Sequence, residues 1–432
     1  MKSTNQLKDS DFSLLIQQVR VIDPIFFTER NADVLVVNGI IEAVEPHLTE
    51  IPQDIPIQNG QGLIFAPGLV DLYSHSGQPG YENRETLQSM ASAAAAGGFT
   101  RMALLPNTVP PLDNLEMLTS MHQKIRLLKD ESKPIPSLNF WGSMTLGNQG
   151  QQMVELAEIA TKTIGLTDTY SLFNFSLLRQ ILEYLKPFNK VIAIAINSQE
   201  FEPNAVIREG IHSLRYGLLG NPVFSEAITI AALIEMIDEI GTPVHLMRIS
   251  TERGVELIAN AKQRGIPITA STTWMHLLFD SQDLVDYNPN LRLQPPLGNK
   301  QDVLALVEGV KQGIIDAIAI DHNSYTYEEK TLAFAKTPPG VIGLELALPL
   351  LWQKFVVSGI WSALELWQAL SMRPLICLEQ EPVSIKPGQK AEAILFDPQI
   401  KWTVNQDNLY SLGVNTPWWG QEISGRVIQF WN

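Results

Sequence analysis

Five short segments place polar or titratable residues directly after apolar runs. They are GLVDLYSHSGQPG with His75, ALLPNTVPP with Asn107, GLTDTYS with Asp168, VHLMRIST with Arg248, and IAIDHNSYT with Asp321 and His322. A carboxylate that ends a buried strand must be paired, hydrogen-bonded or metal-bound, because leaving it bare in an apolar setting costs several kcal/mol. Asp321 and Asp168 both meet that description, and each has a plainer rival reading as the N-cap of the next helix. His75 after its strand is either a metal-ligand candidate or a structural or surface residue. Asn107 beside the prolines also reads as a turn residue. Together these types suit metal binding and proton transfer. Among the other histidines, His245 and His276 lie on strand-like segments that could approach such a site. His47, His122 and His212 read as surface residues, and Met275 beside His276 reads as packing.

The elements that must carry these groups alternate. FTRMALLP, ITASTTW and AIAIDHN read as strands that end in polar residues. NRETLQSMASAAAAGG, GVELIANAKQRG and KQDVLALVEGVKQG have apolar residues at helical spacing and close on glycine. Strand–helix units over this length predict a (β/α)8 TIM-type barrel, in which functional groups sit at the C-terminal ends of strands. A doubly wound sheet is the alternative, but no G-x-G-x-x-G follows the first strands. Both ends have a different texture: LLIQQVRVID and ADVLVVNGIIEAVEP at one, AEAILFDP, KWTVNQ and GRVIQFW at the other, with a hairpin signal at Asn38-Gly39. The two termini are expected to meet in one small β-sandwich. The division that follows is 1–62 and 381–432 for the sandwich and 63–380 for the barrel.

Bulk properties narrow the function. Asp and Glu number 46 against 31 Lys and Arg, for a net charge of −15. No basic block occurs, which argues against nucleic acid as a partner. No apolar run reaches membrane-spanning length, and the polar start MKSTNQLKDSDF lacks the apolar core of a signal peptide. Cys377 is the single cysteine, so there is no internal disulfide and no cysteine-rich zinc site. A cytoplasmic setting without membrane attachment is expected; a homo-oligomer is compatible with the sequence.

The order of the segments is more specific than any one of them. PGLVDLYSHSGQPG, AAAAGGFTRMALLPNTVPPLDN, GSMTLGNQG, RISTERGVELIANAKQRGIPITAST, LQPPLGNKQDVLALVEGVKQGIIDAIAIDH, GVIGLELALPLL, KPGQKAEAILFDP and NTPWWGQEISGRV follow one another as in type I dihydroorotases, amidohydrolases that the chain resembles over nearly its whole length. The resemblance implies the barrel-plus-sandwich fold and an activity that interconverts carbamoyl-aspartate and dihydroorotate. In such enzymes one or two zinc ions activate a water, and an Asp after strand eight moves the proton. The implied ligands are H-x-H after strand one, a carboxylate after strand four, His after strands five and six, and Asp after strand eight. Here those places hold Tyr73 and His75, Asp168, Ala195, Arg248 and Asp321. His75, Asp168 and Asp321 remain as ligand types, with Asp321 the catalytic residue of any active form. Tyr73, Ala195 and Arg248 do not. The substrate-binding Asn is kept as Asn107, while the Arg that clamps the substrate carboxylate is replaced by Gly77 and a later His by Tyr325.

Arg248 is the most informative substitution. A guanidinium stays protonated and would repel a metal ion by about 4 kcal/mol per unit charge at ~4 Å and an effective dielectric near ~20. Its fork is instead expected to pair with Asp168 or Asp321; the plain rival has it pointing to solvent. The resemblance therefore implies a catalytically impaired dihydroorotase-like protein without a cofactor, serving as a structural or regulatory partner of aspartate carbamoyltransferase. The alternative is an active dihydroorotase with one zinc on His75, Asp168 and Asp321. A third reading, hydrolysis of another cyclic amide such as a hydantoin, is disfavoured because relatives of that kind carry a carboxylated Lys where Asp168 stands.

Overall fold

The computed structural model describes residues 13–50, 54–129, 135–169, 174–196 and 201–432. Eight parallel strands stand side by side in chain order: β1 (Leu69–Ser74), β2 (Phe99–Leu104), β3 (Ser137–Gly142), β4 (Gly165–Asp168), β5 (Val191–Ala195), β6 (Val244–Met247), β7 (Ile268–Thr273) and β8 (Ala317–Ala319). Strands β4, β5 and β6 are buried along their whole length, as a parallel sheet covered on both faces requires. The sheet comes back on itself. Asp321 N donates to Tyr73 O at 3.1 Å and His75 N to His322 O at 2.8 Å, so β1 and the end of β8 become neighbours. Asp71 helps to close this seam, its buried carboxylate accepting from Ile320 N at 3.0 Å.

Helices separate the strands. Leu87–Gly97 shows why such a segment is helical: Thr86 caps it, five alanines follow within the run, and Gly98 ends it in the left-handed region at φ 88°. Further helices span Leu115–Lys129, Leu156–Ala160, Phe175–Leu185, Val223–Ile240, Glu252–Gln263 and Lys300–Gln312, and a kinked helical run from 363 to 377 follows β8. Their buried faces and the outward-facing strand residues form one continuous core. This is the expected barrel.

The termini build a second, mostly antiparallel sheet in the order 422–431, 393–403, 64–67, 14–23, 28–37, 40–45, with 57–59 beside 14–23. The hairpin at Asn38-Gly39 is present: Val37 faces Ile40, and both turn residues have positive φ, 48° and 72°. A separate core of Leu14, Ile16, Val34, Phe65, Leu395 and Trp431 lies against this sheet. The chain passes from it to the barrel at Gly68, between Ile64–Pro67 and β1. Among the described residues no helix is long and apolar enough to cross a membrane.

Candidate functional site

The polar residues singled out above sit at the C-terminal ends of the barrel strands, and two of the five converge with Arg248. Arg248, one residue beyond β6, is 6% exposed and so does not point to solvent. Its Nε donates to Asp321 Oδ2 at 2.8 Å and its Nη2 to Asp321 Oδ1 at 2.7 Å, a two-pronged pairing that takes both carboxylate oxygens. Nη1 reaches Thr169 O at 3.2 Å. His75 joins the pair, its Nε2 lying 3.4 Å from both Asp321 Oδ1 and Arg248 Nη2. The amide of Asn107 lies 2.9–3.1 Å from His75 Nδ1, so Asn107 orients the imidazole.

Burial alone would raise the Asp321 carboxyl. The Arg248 charge, with hydrogen bonds from His75 and Arg248, instead holds it well below the usual carboxylate range. A carboxylate so stabilised, with both oxygens engaged, is a poor proton acceptor near neutrality.

Asp168 takes no part in this pairing. Its Oδ1 accepts from Ser143 Oγ at 2.9 Å, Met144 N at 2.8 Å and Thr145 N at 3.1 Å, and its Oδ2 from Thr145 Oγ1 at 2.5 Å. Burial pushes this carboxyl up, and the four donors of the 143–145 loop pull it back. The expected choice for Arg248 between Asp168 and Asp321 thus falls on Asp321, because the loop after β3 has already satisfied Asp168. The N-cap reading fails for both acids: Asn174 caps Phe175–Leu185 and Thr326 caps Tyr327–Lys330. Among the described residues no three His, Cys, Asp or Glu side chains are grouped so as to hold a metal ion.

Tyr73 and Arg248 are coupled through the backbone. Arg248 N donates to Tyr73 Oη at 3.1 Å, and the guanidinium carbon stands 5.2 Å from the Tyr73 ring centre. With that lone pair used, the Tyr73 proton goes to Ser271 Oγ at 2.9 Å, Ser271 donates to His245 Nε2 at 2.8 Å, and His245 Nδ1 donates to Thr269 Oγ1 at 2.8 Å. Burial and the Lys262 charge push His245 down to about 3, which keeps it neutral as this chain requires. Burial raises the Tyr73 phenol. His245 therefore serves a buried relay, not the mouth. His276 is likewise held by Thr273 and the Pro295 carbonyl. Both Arg248 and Asp321 have left-handed backbones, φ 59° and 50°; such strain persists only where neighbours enforce it. Here Tyr73 supplies an acceptor for one N–H and a carbonyl for the other.

The remaining positions fall as follows. Ala195 is the last residue of β5, in register with Met247, and its side chain is a buried methyl group. A Cβ on Gly77 would lie 2.3 Å from Glu85 O and 2.7 Å from Tyr81 O, so the 77–85 loop has closed over the place where a longer side chain would start. Tyr325 is buried, accepts from Asn323 Nδ2 at 3.2 Å, and lies 4.8 Å from the Arg84 guanidinium, which is itself paired with Glu329. A cavity of about 310 Å³ opens between His75, Asn107, Asn148, Arg84 and Tyr325. Sequence reasoning missed Ser271, the Thr169 carbonyl, and a buried pair between His322 Nε2 and Glu85 Oε2 at 3.3 Å. The only signal for the last was His322 next to Asp321.

Comparison with known proteins agrees with this architecture. Residues 62–254 match the family model described as Dihydro-orotase-like. A "Probable dihydroorotase-like protein" of Synechocystis sp. is 43% identical over 95% of this chain and 98% of its own length. A "Dihydroorotase" of Pelobacter propionicus is 33% identical over 96% and 97%. Among solved structures, an L-hydantoinase (dihydropyrimidinase) from Arthrobacter aurescens superposes with a TM-score of 0.80 at 21% identity, covering 98% of this chain and 97% of that one, which shows a shared fold. With barrel, terminal sheet and relatives in accord over almost the whole length, the chain belongs to the dihydroorotase-like family of amidohydrolases.

Proposed function

We propose that this protein works in pyrimidine metabolism as a non-catalytic dihydroorotase homologue, a structural or regulatory companion of aspartate carbamoyltransferase. The observation that carries the reading is the Arg248 fork on Asp321. A family-type zinc centre needs Asp321 and a histidine set free to ligate; here a permanent cation holds Asp321, lies 3.4 Å from His75, and stands where a third ligand would. The residues present do not fit zinc. Asp168 is turned to the 143–145 loop after β3, and Tyr73 and Ala195 bring no ligand of the family kind. Arg248 supplies the charge that keeps the mouth folded, and no hydrolytic step follows from its geometry. Loss of the carboxylate clamp at Gly77, with backbone packed against that position, points the same way.

The test is dihydroorotate hydrolysis and the reverse cyclisation, with zinc or manganese added, together with metal analysis of the purified chain. Neither turnover nor stoichiometric metal is expected. Sustained turnover, or one zinc per chain, sinks the reading. For the partner, co-purification with aspartate carbamoyltransferase at low salt is expected, and its absence removes that part of the proposal.

The active one-metal enzyme is a second reading, supported by identity to proteins named dihydroorotase and by the survival of His75, Asp168 and Asp321. It requires Arg248 to leave Asp321.

A further inference from the structure

The other end of the barrel carries a cleft that the proposed function does not use. It lies at the N-terminal ends of β4 and β5, between the helix Leu115–Lys129 and the turn at 378–380, with a volume of about 570 Å³. Compact organic ligands fit clefts of this size. The floor is apolar, formed by Phe140, Val191 and Leu378, each under 9% exposed.

Among the described residues three cationic side chains line it, Arg126, Lys162 and Lys190, against one carboxylate, Glu379. This occurs in a chain with 46 acidic and 31 basic side chains. Among the described residues none of the three is in an ion pair, although nine other Arg or Lys side chains are. Lys190 Nζ donates to a neutral carbonyl, Thr163 O at 3.0 Å, which holds the ammonium in place without cancelling its charge. The Lys162 carbonyl is tied to His122 Nε2 at 2.8 Å, and the His122 ring packs edge-on to Phe140 at 5.3 Å, so the 161–164 turn is anchored to the neighbouring helix. Cations left unneutralised around an apolar floor match an anionic head joined to a flat body.

We propose that this cleft binds a phosphorylated small molecule, its phosphates on Arg126, Lys162 and Lys190 and its ring on Phe140, Val191 and Leu378. The proposal does not depend on whether the barrel mouth is catalytic, since the two sites lie at opposite ends of the strands.

Calorimetric titration of the full chain with inorganic pyrophosphate and with uridine and adenosine 5′-diphosphates tests it. Both nucleotides are expected to bind at least tenfold tighter than pyrophosphate, and to weaken severalfold as salt rises. Arg126→Gln/Lys162→Gln alters only exposed side chains and is expected to lower nucleotide affinity at least tenfold with Tm unchanged. Arg215→Gln/Lys300→Gln, which removes the same charge near the opposite end, should leave it intact. No binding at millimolar nucleotide, equal affinity for pyrophosphate, or binding indifferent to the cleft variant would each overturn the proposal.

Discussion

Replacing Arg248 by Met tests the central electrostatic argument, because the side chain keeps much of its volume and loses its charge. In the native protein Arg248 is buried, and its fork contacts both oxygens of Asp321, whose side chain is 17% exposed. Breaking a buried pair by removing one partner costs about 3–5 kcal/mol, since the other charge is left behind. The partial exposure of Asp321 lets water take up some of that, so a loss of about 2–4 kcal/mol is expected at pH 7. Asp321→Asn alone should also be destabilising, because Arg248 loses the carboxylate that its Nε and Nη2 contact. The double variant strands neither charge, and its loss should fall short of the summed single losses by at least about 2 kcal/mol. Urea unfolding followed by tryptophan emission provides the measurement.

The pH dependence carries a second signature. Asp321 in the native protein sits below its unfolded value of about 3.9. Its contribution to stability is therefore complete above that value and fades as pH falls through the folded one. Without Arg248, burial dominates and the folded value moves above the unfolded one, so this group should then favour the folded state more as pH drops from 7 toward 4. Additive single losses, with coupling below about 0.5 kcal/mol and an unchanged pH slope, would refute the idea that Arg248 neutralises Asp321.

Three further outcomes are expected. Tyr73→His/Ala195→His/Arg248→His should acquire zinc measurable by mass spectrometry, whereas Tyr73→His alone should not, because Arg248 still holds Asp321. Gly77→Arg should lower Tm by several degrees and fail to create dihydroorotate affinity, since its Cβ would meet the Glu85 and Tyr81 carbonyls. Cys377 is fully packed and burial pushes its thiol up, so a thiol reagent should find no reactive group in the native chain and one per chain in denaturant.

The barrel was legible because β-branched and other apolar runs ended in Asp168, Asp321 and the like at regular intervals, with glycine-closed helices between them. The terminal sheet was legible from alternation and from Asn38-Gly39. That His75, Asp168, Arg248 and Asp321 would stand at the ends of strands was legible too. Their partners were not. Whether Arg248 would meet Asp168 or Asp321 depended on Ser143, Met144 and Thr145 donating to Asp168 first, and two of those four hydrogen bonds come from backbone N–H groups, which any residue supplies. The Glu85–His322 pair joins positions 237 apart in the chain. No local pattern marks such a contact, and the left-handed backbones of Arg248 and Asp321 have no signal in residue type either.

The mouth also explains how Tyr73, Ala195 and Arg248 suit one another. A guanidinium after β6 needs its backbone N–H satisfied inside the barrel, and the Tyr73 phenol reaches it; a histidine at 73 would end nearer its own strand and leave that N–H and Ser271 without the phenol oxygen. Tyr73 in turn can keep its buried hydroxyl only because Ser271 and the neutral His245 carry its proton onward. The methyl group of Ala195, in register with Met247 one residue before Arg248, adds no polar side-chain atom there. Each of these residues thus makes the next less costly, and Tyr73→Phe is the sharpest probe of that linkage. It removes one oxygen and should leave both the Arg248 N–H and Ser271 short of a partner. The expected loss is about 1–3 kcal/mol. In Arg248→Met the N–H remains, so Tyr73→Phe should cost nearly as much there. If the penalty vanishes in that background, Tyr73 serves the guanidinium through its ring and not the backbone through its oxygen.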